Sequence, residues 1–362
     1  MVDCSPVQKE VPNLEWGIAA EIPPEEGQLR SIGYAGPVAG TNNGVLIVGG
    51  GANFPDSMPW LGGAKKYHDE LWVYKPEESN FKLFKLPYTL AYSANVSTGK
   101  GIVSIGGENE NGIITGVLLT QWNGTEAVIT KLPSLPVAIT NAAATVVGDV
   151  LYVAGGETKD AASPKFFTLS MGDTARGWQE LKELPRATSH AVLLAVDDHK
   201  LYLIGGRKKT ASGISDLYTS NYEYNIAANE WKERKSLPYA LCAGTGAVLS
   251  QDYIAMFGGD KGETFHKAET IISRINAEKD SVIKEQLIKE KIQIQSSHPG
   301  FSKELLWYNI RRDEWAVKGA IPFDVPATTS AVKFGGKVYI PSGEIKAGVR
   351  TPQILVAPFD AK

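Results

Sequence analysis

The sequence predicts an all-β fold, a six-bladed β-propeller closed by its N-terminal strand and carrying a helical insertion in blade five. Three observations support this: a strand that ends in a glycine pair recurs along the chain, a Leu-Pro or Ile-Pro pair recurs in step with it, and one spare strand precedes the first repeat. The 362 residues are 43% apolar and 21% charged, which is ample for a folded core.

The glycine-pair repeat is the strongest of these signals. Counting between the second glycines gives gaps of 57, 49, 50, 53 and 84 residues, and four of these five lie near the ~50-residue period of kelch-type blades. The copies are Val48-Gly49-Gly50, Ile105-Gly106-Gly107, Ala154-Gly155-Gly156, Ile204-Gly205-Gly206, Phe257-Gly258-Gly259 and the degenerate Pro341-Ser342-Gly343.

The second periodic mark is a proline that ends the outer strand of each repeat, because proline lacks the N–H that a strand ladder needs. In four repeats a tryptophan stands seven residues before this proline: Trp16, Trp178, Trp231 and Trp315. We expect these rings to pack between neighbouring sheets.

The first of these marks, Trp16 to Pro23, precedes every glycine pair, while the sixth repeat has room for only one strand after Gly343. Pairing the early strand with the last sheet would close a ring and remove two exposed sheet edges. A linear stack of sheets would leave both edges open. The predicted organisation is a flexible N-terminus at 1–13, then one propeller over 14–362, with 14–23 as the outer strand of blade six, and blades at 31–87, 91–136, 140–185, 189–238, 243–322 and 327–360. The inner strand of blade one is predicted at 31–39.

The long final gap contains 268–295, where charged and apolar residues mix at helical spacing. This predicts a helical insertion in blade five, at 262–300. It could lie over one mouth of the ring or be an exposed decoration.

Composition excludes several function classes. The chain has 37 basic and 40 acidic residues, so no nucleic-acid partner is expected. No run of about 18 apolar residues predicts a membrane span. The five histidines are scattered and the two cysteines, Cys4 and Cys242, cannot form a zinc site on their own. No metal site or organic cofactor is predicted, and the absence of an apolar leader gives no signal peptide in this chain.

The residue after each glycine pair should point toward the channel mouth, because the glycines let backbones approach there. These residues are Gly51, Glu108, Glu157, Arg207, Asp260 and Glu344. They could contact a polar ligand, or be polar only because the channel is wet. His190 could also reach the channel, although a hydrogen-bonded core histidine is the commoner case.

One segment differs from the other repeats: in 342–351, Glu344 and Arg350 bracket a turn at Ala347-Gly348. The arginine could hold a substrate carboxylate and the glutamate could transfer a proton. Alternatively, the two could form a local ion pair that only fixes the loop.

These residues resemble a known family. The kelch-like repeats, the insertion and the segment Ser342-Gly343-Glu344-Ile345-Lys346-Ala347-Gly348-Val349-Arg350-Thr351 are similar to the sialic acid mutarotases, the N-acetylneuraminate epimerases. That family's motif is Asn-Gly-Glu-x-Lys-x-Gly-x-Arg-Thr, matched here except at Ser342. The blade order also departs from the bacterial epimerase, so the chain resembles a cyclically permuted branch.

The resemblance implies a mutarotase that interconverts the anomers of N-acetylneuraminate, an acidic sugar, with Glu344 and Arg350 as the catalytic pair and no cofactor. Glu108, Glu157, Arg207 and Asp260 are the candidate substrate-binding residues. It also implies a periplasmic or otherwise exported protein. The alternatives are a non-catalytic kelch-type module that binds carbohydrate or protein, and another propeller enzyme. Against the latter, the sequence has no Ser-x-Asp-x-Gly-x-x-Trp box of sialidases and no paired histidines for a kelch-type copper oxidase.

Overall fold

The computed structural model describes residues 14–359, and the predicted flexible N-terminus at 1–13 lies outside this range. The described chain forms six four-stranded antiparallel sheets. Each sheet packs face to face on the next around a central channel, which confirms the six-bladed β-propeller.

The strands of each blade run in order from the channel outward, except that the outermost strand of blade six comes from the start of the chain. Blade one comprises Val38–Asn42, Val45–Gly49, Glu70–Lys75 and Asn80–Lys85, and blade two Ala94–Thr98, Gly101–Ile105, Val117–Trp122 and Ala127–Lys131. Blade three comprises Ala143–Val147, Val150–Ala154, Phe166–Ser170 and Gln179–Glu180, and blade four Val192–Ala195, Lys200–Ile204, Asn221–Asn225 and Glu230–Arg234. Blade five comprises Thr245–Ser250, Tyr253–Phe257, Glu304–Asn309 and Glu314–Ala320, and blade six Val332–Phe334, Lys337–Pro341, Gln353–Pro358 and Gly17–Glu21.

Short two-stranded hairpins stand at the ends of four blades, beyond the glycine pairs. They pair Ala52–Asn53 with Lys66–Tyr67, Glu108–Asn109 with Gly112–Ile113, Arg207–Lys209 with Ser215–Leu217, and Glu344–Lys346 with Val349–Arg350. Two 3-10 turns, Pro59–Leu61 and Thr174–Arg176, complete the short elements.

The ring closes as predicted. Strand Gly17–Glu21 pairs antiparallel with Gln353–Pro358, so that Gly17 faces Val356 and Glu21 faces Gln353. The outer edge of blade six is therefore supplied by the N-terminal strand, and the first and last parts of the described chain share one sheet.

The core is divided into six clusters, one at each interface between neighbouring blades. The interface between blades six and one, where the ring closes, has its own buried cluster. Ile22, Tyr34 and Ile354 are almost fully buried there. Three tryptophans also form hydrogen bonds between neighbouring blades. The indole N–H of each donates to a backbone carbonyl of the preceding blade: Trp178, Trp231 and Trp315. The expected packing of these rings between sheets is thus confirmed.

The insertion in blade five is a pair of packed helices, α1 (Glu263–Ala277) and α2 (Ser281–Ser296). Asp280 begins α2 as its N-cap, its carboxylate accepting from the N–H groups of Val282 and Ile283. No helix among residues 14–359 is long and apolar enough to cross a membrane.

One strand boundary predicted from sequence is wrong. The inner strand of blade one begins at Val38, and not at Ser31. Gly33 and Gly36 have φ of +74° and +61°, and Pro37 fixes its own φ, so the chain turns repeatedly before it becomes extended.

Deleting residues 1–23 should lower the free energy of unfolding by at least about 3 kcal/mol, because buried Leu14 and Ile22 each contribute roughly 1.5–3 kcal/mol in addition to the lost strand pairing. Thermal unfolding measures this. Deletion of 1–13 alone is the matched control, since it keeps the closing strand. Equal unfolding midpoints for the two deletions would contradict the role of that strand.

Candidate functional site

Six backbone hydrogen bonds form a closed ring at the centre of one face. In each blade, one residue donates its N–H to the carbonyl of the equivalent residue in the preceding blade, at 2.7–3.0 Å. The donor–acceptor pairs are Tyr92–Gly36, Asn141–Tyr92, His190–Asn141, Ala243–His190, Thr328–Ala243 and, closing the ring, Gly36–Thr328.

All six ring residues have a left-handed backbone, with φ between 51° and 61°. Five of them are not glycine, and a side chain in this region is strained. Residues in such conformations cluster at functional sites, where the surrounding structure holds them in place. The ring therefore marks this face as the candidate site before any side-chain chemistry is considered.

Each ring residue is preceded by a residue that forms an antiparallel bridge to the position after the glycine pair. The bridged positions are Ala52, Glu108, Glu157, Arg207, Asp260 and Glu344. In blade one the sequence prediction of Gly51 is wrong. The left-handed pair there is Gly50 and Gly51, one residue later than the repeat suggests. Ala52 therefore takes the bridged position, where it is fully buried.

Apart from Ala52, these positions surround a cavity of about 420 Å³ at the channel mouth. Five of the six residues predicted to point there do line it: Glu108, Glu157, Arg207, Asp260 and Glu344. Ring residues Tyr92, Asn141 and His190 line it as well. The volume falls in the range of small-molecule sites, about 300–1,000 Å³.

The helical insertion covers part of this cavity. Phe265 of α1, Gln295 at the end of α2, and His298 and Phe301 just beyond it are among the lining residues. Of the two predictions for the insertion, the position over the mouth is the one that the structure confirms.

Glu344 and Arg350 lie directly opposite each other across the hairpin. Arg350 Nη1 lies 3.3 Å from Glu344 Oε1, and the N–H of Gly348 donates to the same oxygen at 2.7 Å. Both contacts use Oε1, which leaves Oε2 for a ligand in the cavity that Glu344 lines.

Arg350 lies behind Glu344 and does not line the cavity. Its side chain is only 4% exposed. Its Nε donates to the carbonyl of Ala52 at 3.3 Å, and its guanidinium stacks over Phe54 at 4.7 Å. Blade one thus fixes an arginine that belongs to blade six.

In the sixth repeat, Ser342 takes the position of the first glycine of the pair. Its φ of 55° matches that of the glycines, and its hydroxyl accepts from the N–H of Tyr34 and donates to the carbonyl of Thr351. These bonds compensate the strained backbone and connect the motif to blade one.

A second charged group lies across the cavity. Glu157 pairs with Arg207 at 3.0 Å and accepts from the hydroxyl of Ser189 at 2.9 Å. The Arg207 guanidinium also lies 5.3 Å from the ring centre of Phe265 on α1. His190 contacts the same Ser189 hydroxyl, and burial, aided by the charge of Arg207, holds its pKa well below the usual value. His190 therefore serves as a neutral hydrogen-bonding group at this site.

A third group surrounds Glu108, whose carboxylate accepts from Tyr67 at 2.7 Å and pairs with Lys65 at 3.2 Å. The Lys65 ammonium also lies 5.1 Å from the ring centre of Tyr92. Burial raises the pKa of Tyr92 to about 12 against the opposing charge of Arg350, so its hydroxyl keeps its proton at neutral pH. Asp260 instead accepts from the N–H of Gly262 and so begins the turn into α1.

The sequence analysis missed Lys65, Tyr92 and Asn141. Lys65 lies in the long loop of blade one, where no repeat guides prediction. Tyr92 and Asn141 carry a usable signal, since each ring residue stands fifteen or sixteen positions before the second glycine of its repeat.

Comparison with known proteins agrees with this architecture. The N-acetylneuraminate epimerase family model matches residues 132–362. Among curated relatives, the N-acetylneuraminate epimerase of Haemophilus influenzae (strain 86-028NP) is 28% identical over 230 residues, covering 64% of this chain and 60% of that protein. The epimerase of Pasteurella multocida (strain Pm70) is 27% identical over 224 residues, covering 61% and 57%.

A "Kelch domain-containing protein" of Vibrio cholerae (serotype O1, strain El Tor Inaba N16961) is 26% identical over 226 residues, covering 61% of each chain. The chain thus spans about 60% of the length of the curated relatives that it matches.

Gly348→Ala should destabilise the protein more than the matched control Gly335→Ala. Both glycines have positive φ, so both substitutions cost about 1–2 kcal/mol of backbone strain. At Gly348 the new methyl group would also meet the ring of Trp60 at 2.9 Å, whereas nothing lies within 4 Å at Gly335. That overpacking adds at least about 1 kcal/mol. Denaturant unfolding measures the difference, and equal losses would contradict the tight turn behind Glu344.

Proposed function

Since the chain belongs to the N-acetylneuraminate epimerase family, we propose that it is a mutarotase that interconverts the α and β anomers of N-acetylneuraminate by general acid–base catalysis. The observation that carries this proposal is the placement of Glu344: one carboxylate oxygen is anchored by Gly348 and Arg350, and the side chain lines a covered cavity.

The reaction needs one proton carrier near the anomeric carbon. Glu344 Oε2 accepts the proton of the anomeric hydroxyl. The bond between the anomeric carbon and the ring oxygen then breaks, and the ring oxygen takes up a proton, directly or through water. After the carbonyl group rotates, the reverse transfers close the ring on its other face. No atom is gained or lost, and positioned acid–base help of this kind contributes roughly 10²- to 10⁴-fold.

Arg350 supports this step by positioning Glu344. Its contacts with Ala52, Phe54 and Glu344 use a rigid guanidinium to hold the carboxylate in one rotamer. We propose that Arg350 is a positioning residue in this state of the protein. A direct contact of Arg350 with the substrate carboxylate, which the spacing of the motif suggested, stays a prediction.

The substrate is an acid, and two cations line the cavity: Lys65 and Arg207. Each is already paired with a glutamate, Glu108 and Glu157 respectively, so each is held in place before a ligand arrives. We propose Arg207 as the main partner of the substrate carboxylate, because its planar guanidinium can bind a carboxylate with two parallel hydrogen bonds. Glu108, Glu157 and Asp260 are proposed to bind the sugar's hydroxyl and amide groups.

A second candidate function is the non-catalytic kelch-type module that binds carbohydrate or protein. One observation favours it: Glu344 and Arg350 contact each other, as a purely structural ion pair would. The two functions differ in one measurable property, because a binding module would not change the rate at which the anomers equilibrate.

Freshly released α-N-acetylneuraminate should equilibrate faster with the protein than without it, as followed by the β-anomer signals in proton NMR. Glu344→Gln should lower this acceleration by roughly 10²- to 10⁴-fold, since the amide cannot accept the proton, while sugar binding is largely retained. Glu110→Gln is the control, since that carboxylate is exposed and outside the cavity. Absence of acceleration by the unaltered protein would favour the binding module.

Arg207→Gln should raise KM for the acidic sugar by about tenfold or more and change kcat little, because the contact with the substrate carboxylate is made equally in the ground and transition states. Lys208→Gln on the same strand, outside the cavity lining, is the control.

Arg350→Lys should show the opposite pattern, with a lower kcat and a similar KM, because a lysine cannot orient Glu344 in the same way. A rise in KM alone for Arg350→Lys would instead support the direct grip on the substrate.

A further inference from the structure

A group of potential metal ligands lies outside the cavity, where the segment after the closing strand meets blade one. Within residues 14–359, Glu25, His68 and Glu70 form the one group of three such residues whose ligand atoms all lie within 4.8 Å of one another. His68 Nδ1 lies 2.9 Å from Glu25 Oε1 and 3.4 Å from Glu70 Oε2. None of the three lines the cavity, so the proposed catalysis does not use them.

The contact made by Nε2 shows which nitrogen of the neutral His68 ring carries the hydrogen. Nε2 lies 2.9 Å from Asn53 Oδ1. The amide nitrogen of Asn53 donates to the carbonyl of Gly33 at 3.0 Å, which fixes the amide with its oxygen toward His68. Nε2 must therefore carry a hydrogen, and a neutral ring presents the lone pair of Nδ1 to the two carboxylates.

That lone pair is buried without a suitable partner. His68 is 1% exposed, and its Nδ1 makes no hydrogen bond with acceptable geometry to any residue of the described chain. The two carboxylate oxygens lie 2.9 and 3.4 Å from Nδ1, yet neither forms a hydrogen bond with it. Ligand atoms that share one ion also lie close together without hydrogen bonds between them, since each binds the ion.

The opposite sides of the two carboxylates are already occupied by cations. Lys66 Nζ lies 2.6 Å from Glu25 Oε2, and Lys85 Nζ lies 3.9 Å from Glu70 Oε1. Each glutamate therefore turns its other oxygen toward His68. Two carboxylate oxygens facing a nitrogen lone pair repel one another unless a positive charge lies between them.

We propose that Glu25, His68 and Glu70 bind one divalent transition-metal ion of the Zn²⁺ type, through Oε1, Nδ1 and Oε2. Imidazole and carboxylate ligands suit such an ion. Zinc bonds of about 2.0–2.2 Å in tetrahedral geometry place ligand atoms about 3.3–3.6 Å apart. The 3.4 Å between His68 and Glu70 matches this separation, and the 2.9 Å between His68 and Glu25 would lengthen by about 0.4 Å when the ion binds. A water molecule would complete the coordination, and the contact of Nε2 with Asn53 is the outer-shell bond typical of a metal-binding histidine.

The ion would have a structural role. Glu25 follows the strand Gly17–Glu21, which belongs to blade six, whereas His68 and Glu70 belong to blade one. A bound ion would therefore link the closing segment to the next blade and stabilise ring closure.

The competing explanation is an imidazolium: a second proton on His68 would also neutralise the two glutamates. Zinc titration distinguishes the two explanations, because an imidazolium has no lone pair on Nδ1 with which to bind an ion.

The test uses the full chain, stripped with EDTA and titrated with Zn²⁺ against a chromophoric chelator. We expect one equivalent of Zn²⁺ to bind and the unfolding midpoint to rise. Glu25→Gln and Glu70→Gln should each weaken binding at least about tenfold and remove the rise in midpoint, and Glu26→Gln, an exposed neighbour, should do neither.

Three outcomes would overturn the proposal. They are no Zn²⁺ binding by the folded unaltered protein, unchanged Zn²⁺ binding in both Glu25→Gln and Glu70→Gln, and a loss of Zn²⁺ binding in Glu26→Gln equal to that in the cluster variants. The use of two cluster variants keeps the test valid if one fails to fold. Anomer equilibration should be unchanged in Glu25→Gln at temperatures where it is folded, so the outcome here is independent of the proposed catalytic function.

Discussion

The closed ring of six backbone hydrogen bonds is the interaction on which the rest of the structure depends. Each bond joins neighbouring blades beside the central channel, and the bond from Gly36 to Thr328 returns the ring to its start. Forming it requires six left-handed residues. Strain of this kind, of order 1–3 kcal/mol for each of the five residues that are not glycine, persists because the six apolar interfaces hold the blades in place. The same geometry bridges each ring residue's neighbour to the position after the glycine pair and so places charged side chains at the mouth.

The periodic part of this arrangement could be predicted from sequence, and the errors have a local cause. In five of the six blades the second strand ends at a glycine pair, because backbones approach closely there. A Cβ at Gly106 would lie 2.4 Å from the carbonyl oxygen of Ile139. In blade one a run of three glycines, Gly49 to Gly51, left two possible registers. Only the backbone angles show that Gly50 and Gly51 are the pair, so the bridged position falls on the buried Ala52. The candidate residues of the other blades needed no such choice.

The parts of the site that come from non-repeating segments were beyond sequence analysis. Lys65 and Tyr67 reach Glu108 from the long loop of blade one, and Phe265 reaches Arg207 from α1. The length of a loop does not determine which of its residues turns inward. The cluster of Glu25, His68 and Glu70 has the same character, because Glu25 is more than forty residues from His68 and meets it only through ring closure.

Ring closure and the Glu344–Arg350 part of the candidate site lie at the same joint, the interface between blades six and one. Arg350 and Glu344 belong to blade six, yet Arg350 is fixed by Ala52 and Phe54 of blade one, and Ser342 is bonded to Tyr34. The N-terminal strand completes blade six beside this joint. The cyclic permutation of blades that the family resemblance implies stays a prediction. A ring tolerates permutation because each blade contacts only its neighbours. Because Gly17–Glu21 completes the blade that carries Glu344, the orientation of Glu344 depends on how firmly this closing strand is held.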